Sequence, residues 1–403
     1  MPAAYRSFRC SVPWLILSLE AAFIVLFYFL FSDVGAGIHY AALQDVSHVL
    51  VFGFGFFLMF LKRYSFSSVG FNLLIIVLGV QCSILMENVP VLLSDRTLEG
   101  SLSSIVQAAM SMVAVVISIG AVLGMINPMQ SIVMTIVEII VFCMSRWINE
   151  NILEVSYHVS MMHVHLFGAY FGLAVSSRFS EPSPRSDKNA STSQSDLLAM
   201  LGTLFLWVFW PSFNSILALE KNKAILNTCL ALAVSAVTAF ALSGLTTKDG
   251  KFRMSHIHRA AMAGGVTIGY AASSINYPWI AMILGLLASV ISILGSFCLQ
   301  SCFNPPLKIH DASGVHFTFG LPAVLGALAQ VVFFVMEIQT TLPSIGYQVI
   351  LNIGAFCFTI STALIAGLIT GLILNLKLLK PTPVSKYFDD QMYWEFPHLA
   401  VGF

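Results

Sequence analysis

Two short stretches decide the fold: His165-Leu-Phe-Gly168-Ala-Tyr170-Phe171-Gly172 and Gly314-Val-His316-Phe-Thr-Phe319-Gly320-Leu-Pro322. Each sets one histidine in an otherwise apolar run and follows it with an aromatic-glycine step. An ionisable group inside a lipid-embedded segment costs roughly 2.5 kcal/mol or more, so it normally faces a partner or a water-accessible path. A matched pair, far apart in the chain, points to one site built from two related halves. The competing reading is a pair of interhelical hydrogen bonds with no transport role, because polar side chains also join helices in membranes.

Composition identifies the solvent. Of 403 residues, 58% are hydrophobic and 9% charged, with a mean hydropathy of +0.87. That is too little charge to coat a soluble globule of this size, and the chain reads as a polytopic, all-α membrane protein. Net charge is zero, so the total carries no information on acidic partners, and no nucleic-acid partner is expected.

A spanning helix needs about 20 mostly apolar residues, because about 30 Å of hydrocarbon is crossed at about 1.5 Å per residue. On that ruler twelve spans are predicted, at 13–31, 44–61, 69–88, 104–124, 130–148, 159–177, 197–216, 224–245, 258–275, 278–298, 314–336 and 347–376. The first could be mistaken for a signal peptide, but it is long, contains Glu20 and lacks a small-residue cleavage site. Most cations fall on the face shared by the two termini, among them Arg6, Arg9, Lys62, Arg63, Arg259 and Lys377, which predicts cytoplasmic termini. The division is therefore a transmembrane domain over 1–376 and a cytoplasmic tail over 377–403, polar enough to be a soluble extension. The serine- and proline-containing stretch from Ser176 to Ser195 reads as a flexible cytoplasmic connection, so the acceptor pattern Asn189-Ala-Ser191 is expected to escape glycosylation.

The seven cysteines do not form a disulfide framework, since most fall inside spans. Cys10 stands apart: beside Arg9 and just before the first span, it is a candidate for acylation, with an unmodified thiol as the alternative. Among acids near the spans, Glu87 and Glu337 are expected to reach the interface, while Glu138 is expected to pair between helices. His256 and His258, on a cationic boundary, read as a solvated helix start. His158 and His163 lack the Phe-Gly context and read as packing or vestibule residues. One difficulty attaches to His165 and His316. Each lies a few residues into a span, and the spans enter from opposite faces, so the two meet only if a helix starts deeper or is broken.

Over nearly its whole length, from about Cys10 to Phe403, the sequence resembles the ammonium transporter and Rh superfamily, and within it the blood group branch. The stretches that carry this are Gly53-Phe-Gly-Phe-Phe-Leu-Met-Phe-Leu-Lys-Arg-Tyr64, Ser67-Ser-Val-Gly-Phe-Asn72, Phe167-Gly-Ala-Tyr-Phe-Gly-Leu173 and Phe209-Trp-Pro-Ser-Phe-Asn-Ser215. The tail from Lys386 to Phe403 is the most branch-specific. The resemblance implies a fold of two inverted pseudo-symmetric halves, one pore per protomer and three protomers together. It implies that His165 and His316 are the paired pore histidines, that Phe213 is one of two gate phenylalanines, and that Asp311 is a buried acid supporting the second half's pore helix. Blood-group-type members lack the histidine pair, which transporting members keep.

Other positions depart from the transporting pattern. Met110 stands where the second gate ring is expected, Tyr157 where an aspartate recruits cation, and Asn151 where the outer vestibule has a glutamate, although Glu150 and Glu154 are adjacent. Two functions follow from the resemblance. One is a passive plasma-membrane channel for ammonia, with carbon dioxide as a second candidate. The other is a non-conducting structural subunit of red cells, assembled as a homo- or hetero-trimer with an Rh-associated glycoprotein and tied to the ankyrin-based skeleton. An enzyme is the least favoured class: no phosphate-binding glycine loop, metal-ligand cluster or nucleophile-base arrangement is evident, and no cofactor or metal is expected.

Overall fold

The computed structural model describes residues 3–34, 40–89, 98–100, 102–180, 182, 187–247, 249–299, 309–337 and 342–396; side chains of 3–10, 31–34, 98–100, 187, 298–299, 337 and 342–345 are not described. Cys10 and Glu337 are therefore outside the described side chains.

Apolar runs of spanning length become helices because lipid leaves the backbone no other partner for its polar groups. In chain order these are α1 (Ala3–Leu30), α2 (Tyr40–Phe57), α3 (Ser65–Glu87), α4 (Leu102–Ala121), α5 (Pro128–Asn151), α6 (Tyr157–Ser176), α7 (Ser193–Ser215), α8 (Lys221–Thr246), α9 (Met254–Gly269), α10 (Pro278–Phe297), α11 (His316–Met336) and α12 (Leu342–Leu374). Eleven are long and apolar enough to cross a membrane. The exception is α9. Where the sequence predicts a span to 275, the helix ends at Gly269 and gives way to turns. Asn227 of α8 makes that ending affordable: its amide donates to the carbonyls of Ala272 (2.9 Å) and Ile275 (2.8 Å), satisfying backbone that has left the helix. Beyond the helices, Phe31–Val34 (β1) and Leu98–Gly100 (β2) form a short parallel pairing.

Local signals fix several ends. Asn127 caps α5 through a capping box, accepting from Gln130 N at 2.9 Å while the Gln130 side chain accepts from Asn127 N at 2.8 Å, with Pro128 at the first helical position. Thr192 and Ser195 cap α7 in the same way. The start of α3 is capped from far away: Asp390 accepts from Phe66 N (2.8 Å) and Ser67 N (2.9 Å).

That contact belongs to a docked tail. Residues 377–396 lie on the helix ends instead of extending freely. Phe388 N donates to Gly124 O at 2.9 Å, Trp394 Nε1 to Ser67 Oγ at 2.9 Å, and Asn127 Nδ2 to the carbonyls of Leu379 and Lys380. Gly124 has φ +79°, and a Cβ there would run into the Phe388 ring. The described parts of the 176–195 connection are also tied down, through Lys62 N to Ala190 O and an ion pair from Lys188 to Asp389 at 2.9 Å.

At the centre stands α6, with 94% of its apolar window buried, against 11% for α1 at the periphery. Small residues put it there. Gly168 and Gly172 press on the backbone of α4 at Ala114 and Ser118, and Gly367 of α12 presses on α6 at Phe171 and Ala174, approaches with no room for a Cβ. Glu138 of α5 is fully buried and accepts from Ser118 Oγ, as expected of an acid pairing between helices.

Candidate functional site: two histidines and a buried ion cluster

α6 is not one continuous helix. It runs as Tyr157–Met162 and Val164–Ser176, with His163 at the joint, so His165 sits in the second segment's first turn, well inside the protein. α11 begins only at Val315–His316, after non-helical chain from Ile309 to Gly314, and its first turn is wide. Asp311 makes that deep start possible: its carboxylate accepts from Val315 N at 2.8 Å and from His316 N at 2.9 Å, filling donors that a helix leaves free at its N-terminus. The depth difficulty is thus met by one broken helix and one that starts late.

His165 is fully buried. Its Nδ1 lies 3.0 Å from Met162 O, and because a carbonyl only accepts, Nδ1 carries the proton and Nε2 presents a lone pair. Nε2 has no partner. Around it stand Trp210 (rings 5.6 Å apart), Phe213 (6.0 Å, edge-on) and Tyr270 (6.5 Å), with Phe213 fully buried and 5.4 Å from Trp210. His316 is half-buried, edge-on to Tyr170 of α6 at 5.9 Å, and its Nδ1 is likewise unpartnered. A Cβ on Gly320 would touch both His316 Nδ1 and Ala169, and Ala169 lies one turn beyond His165. The two imidazoles therefore adjoin consecutive turns of α6, while no hydrogen bond or ring contact joins them. Phe54 and Phe57 of α2 close the side, packing on Phe319 at 5.8 and 6.0 Å.

Outward along α6 the chemistry changes from apolar to ionic. Arg146 of α5 pairs with Glu87 of α3 (3.1 Å) and Glu150 (3.2 Å); the Arg146 and Glu87 side chains are only 9% and 5% exposed, Glu150 22%. Ser111 Oγ donates to Glu87 (2.7 Å) and Ser160 Oγ to Glu150 (2.5 Å). The guanidinium lies over the Tyr157 ring, 5.5 Å from its centre, and against the sulfur of Met161, one turn before His165. Glu87 is thus a buried ion-pair partner and does not reach out to the interface as expected. Asn151 is exposed and folds back onto Trp147 O, so the acid of this segment that joins the Arg146 cluster is Glu150. Glu154 is exposed, within 3.4 Å of Gln348. Met110 is fully buried on α4, beside Ser111.

Comparison with known proteins now decides the family. Residues 19–387 match the family model described as Ammonium Transporter Family. The chain belongs to the ammonium transporter family. It is 46% identical to an RH-like protein of Macaca mulatta and 42% identical to the blood group Rh(D) polypeptide of Homo sapiens, each over 99% of both chains. Among solved structures it is similar to Nitrosomonas europaea Rh50, from a study of conduction by the Rhesus protein family of channels: TM-score 0.76, 28% identity, 89% of this chain and 93% of that one. A sensor Amt protein, 19% identical, shares the fold at TM-score 0.70.

Against this family background, the remaining histidines separate clearly. His163 Nδ1 is 2.9 Å from Thr359 Oγ1 of α12 and 3.1 Å from Asn149, and His158 Nε2 is 3.1 Å from Asn214 O, so both join helices. His258 corrects the solvated reading: it is buried, 4.9 Å from the Phe57 ring, because α2 covers the face that its basic neighbours make look exposed. Sequence reasoning missed Arg146, Trp210 and Tyr270. The charge of Arg146 within reach of Glu87 and Glu150 was the available signal; for the two aromatic rings, nothing in their local sequence distinguishes them from packing residues.

Proposed function

We propose that this multi-pass membrane protein provides a passive path for ammonia across the plasma membrane, with both termini cytoplasmic and His165 and His316 lining the narrow part. What carries the reading is the pair of unpartnered imidazole nitrogens, one on α6 and one at the start of α11, where the His316 ring packs against Tyr170 of α6. An unsatisfied buried polar atom costs about 1–3 kcal/mol, which a passing molecule with both N–H groups and a lone pair would relieve. Ammonia has both. It can donate to His165 Nε2 and accept from the other ring, while a bare cation would meet aromatic faces and no carboxylate, too little to replace its whole shell of water. Carbon dioxide, an acceptor only, would engage one imidazole at most.

The outer mouth supports a neutral species over a cation. Arg146 sits among the acids that would otherwise attract ammonium, and Tyr157 supplies a ring in place of a carboxylate. The same feature favours a second reading, a non-conducting subunit that assembles in a trimer with an Rh-associated glycoprotein and anchors red-cell membrane to the ankyrin-based skeleton. High identity to a blood group polypeptide adds to it.

Stopped-flow ammonia uptake by liposomes holding the purified protein separates the two. His165→Ala and His316→Ala should each change the protein-dependent flux severalfold, while Asn151→Ala, on the exposed surface, leaves it alone. Flux equal to that of bare liposomes for the unmodified protein would leave the structural role.

A further inference from the structure

A second polar site lies away from the histidine path. Between the start of α9 and the end of α10 is a cavity of about 230 Å³ lined by Arg253, Ser255, His256, Arg259, Ser292 and Ser296, with Ile293 and Phe297 beside them. Among the described residues its lining holds two guanidiniums, one imidazole and three hydroxyls, and no carboxylate. Arg253 is exposed at the rim and Arg259 is half-buried, within the electrostatic reach of Asp311 and Asp196 on its far side, so the wall that faces the cavity is cationic and suits an anion.

Two buried atoms of the lining are unpartnered, His256 Nδ1 and Arg259 Nε. Arg253 occupies the cap position of the sixteen-residue α9, where its donor-only side chain adds positive charge to the positive end of the helix. Along α10, whose Phe297 lines the cavity, Leu287, Leu294 and Phe297 are exposed and apolar. A ligand that satisfied the whole surface would carry negative charge at one end and hydrocarbon at the other.

We propose that this cavity is a binding site for a phosphate-bearing anion, presented by the headgroup of an anionic phospholipid whose acyl chain lies along α10. Phosphate oxygens would accept from Arg253, from Arg259 and from the serine hydroxyls, chemistry that guanidinium forks suit better than a lysine would. A juxtamembrane arginine is worth about fivefold in affinity for an anionic surface, so the two together set a preference that a zwitterionic lipid cannot match. Arg259 also reaches inward: a Cβ on Gly314 would meet its guanidinium, and Gly314 lies between Asp311 and His316. Occupancy would thus steady the deep start of α11 from behind.

The experiment is native mass spectrometry of the purified full-length protein, titrated separately with dioctanoyl phosphatidic acid, dioctanoyl phosphatidylcholine and inorganic phosphate. The expected result is binding of phosphatidic acid about tenfold or more tighter than phosphatidylcholine, with Arg253→Gln weakening it about fivefold. Arg259→Gln could unfold the inner end of α11, so Ser296→Leu, which fills the cavity without touching charge, is the second variant and should also abolish the preference. Equal affinity for the two lipids, or an undiminished preference in both Arg253→Gln and Ser296→Leu, would overturn the proposal. Saturable inorganic phosphate binding as tight as that of the acidic lipid would overturn the lipid as its source.

Discussion

Replacing Arg146 with glutamine should turn a mouth that attracts cations only weakly into one that collects them. In the native protein one guanidinium is shared between Glu87 at 3.1 Å and Glu150 at 3.2 Å, so the cluster carries a net charge of one negative unit. Glutamine leaves two. Each carboxylate keeps a hydroxyl, Ser111 on Glu87 and Ser160 on Glu150, so the acids remain held in place. One added unit of charge about 8 Å from an arriving cation contributes about 2 kcal/mol at an effective dielectric of about 20, and about 1 kcal/mol if water doubles that constant. Occupancy by ammonium or methylammonium should therefore rise about five- to thirtyfold. Stability pays for this, since removing one partner of a buried pair costs about 3–5 kcal/mol, less here because Glu150 is partly open. Arg146→Lys is the control that retains the charge. The assay is competition by methylammonium against ammonia uptake in liposomes, with folding checked by gel filtration. If folded Arg146→Gln shows the same half-blocking methylammonium concentration as the native protein and Arg146→Lys, the guanidinium does not govern the mouth.

Three further perturbations read other parts of the structure. Tyr157→Asp should add a carboxylate beside Arg146 and raise uptake at low ammonium, though less than Arg146→Gln does, because the guanidinium neutralises part of it; uptake unchanged at every concentration would count against a recruiting role for this position. Asp311→Asn removes charge from two helix-start hydrogen bonds worth roughly 1.5–3 kcal/mol each, of which asparagine restores one, so a fall in both thermal midpoint and ammonia flux is expected, and a variant with native values would show that the cap is dispensable. Gly367→Leu would drive a side chain into the α6 backbone at Phe171 and should block delivery to the cell surface, measured by surface biotinylation; normal delivery would refute the close packing of α6 and α12.

Apolar length and a stranded ionisable group are local properties, and what they determine is legible in the sequence. The twelve helices, the burial of His165 and the apolar setting of Phe213 all follow from a few neighbouring residues. Other features depend on partners that no window contains. α9 stops at Gly269 because an amide on α8 holds the carbonyls beyond it. The tail docks because Asp390 caps a helix that starts more than three hundred residues earlier. Glu87 and Arg146, each near the end of its own span, resemble interface residues until α3 and α5 bring them together. His258 is covered by Phe57 of α2, whereas its own basic neighbours suggest water.

The strongest argument between a conducting and a purely structural core comes from α6 itself. Three of its histidines lie within eight residues, and two behave as structural residues should: His158 meets the carbonyl of Asn214, and His163 meets Thr359 and Asn149. Both join α6 to a neighbouring helix. His165 makes only a local bond to Met162, within α6, and leaves its remaining nitrogen unpartnered, with the rings of Trp210, Phe213 and Tyr270 packed around its own. A scaffold gains nothing from that arrangement, because a leucine or phenylalanine in the same space would avoid the cost of a buried unsatisfied acceptor. On the proposed path an imidazole in that position serves a passing molecule that can use its lone pair, and the ring of His316, on α11 against Tyr170 of α6 and with its own unpartnered nitrogen, would supply the second contact.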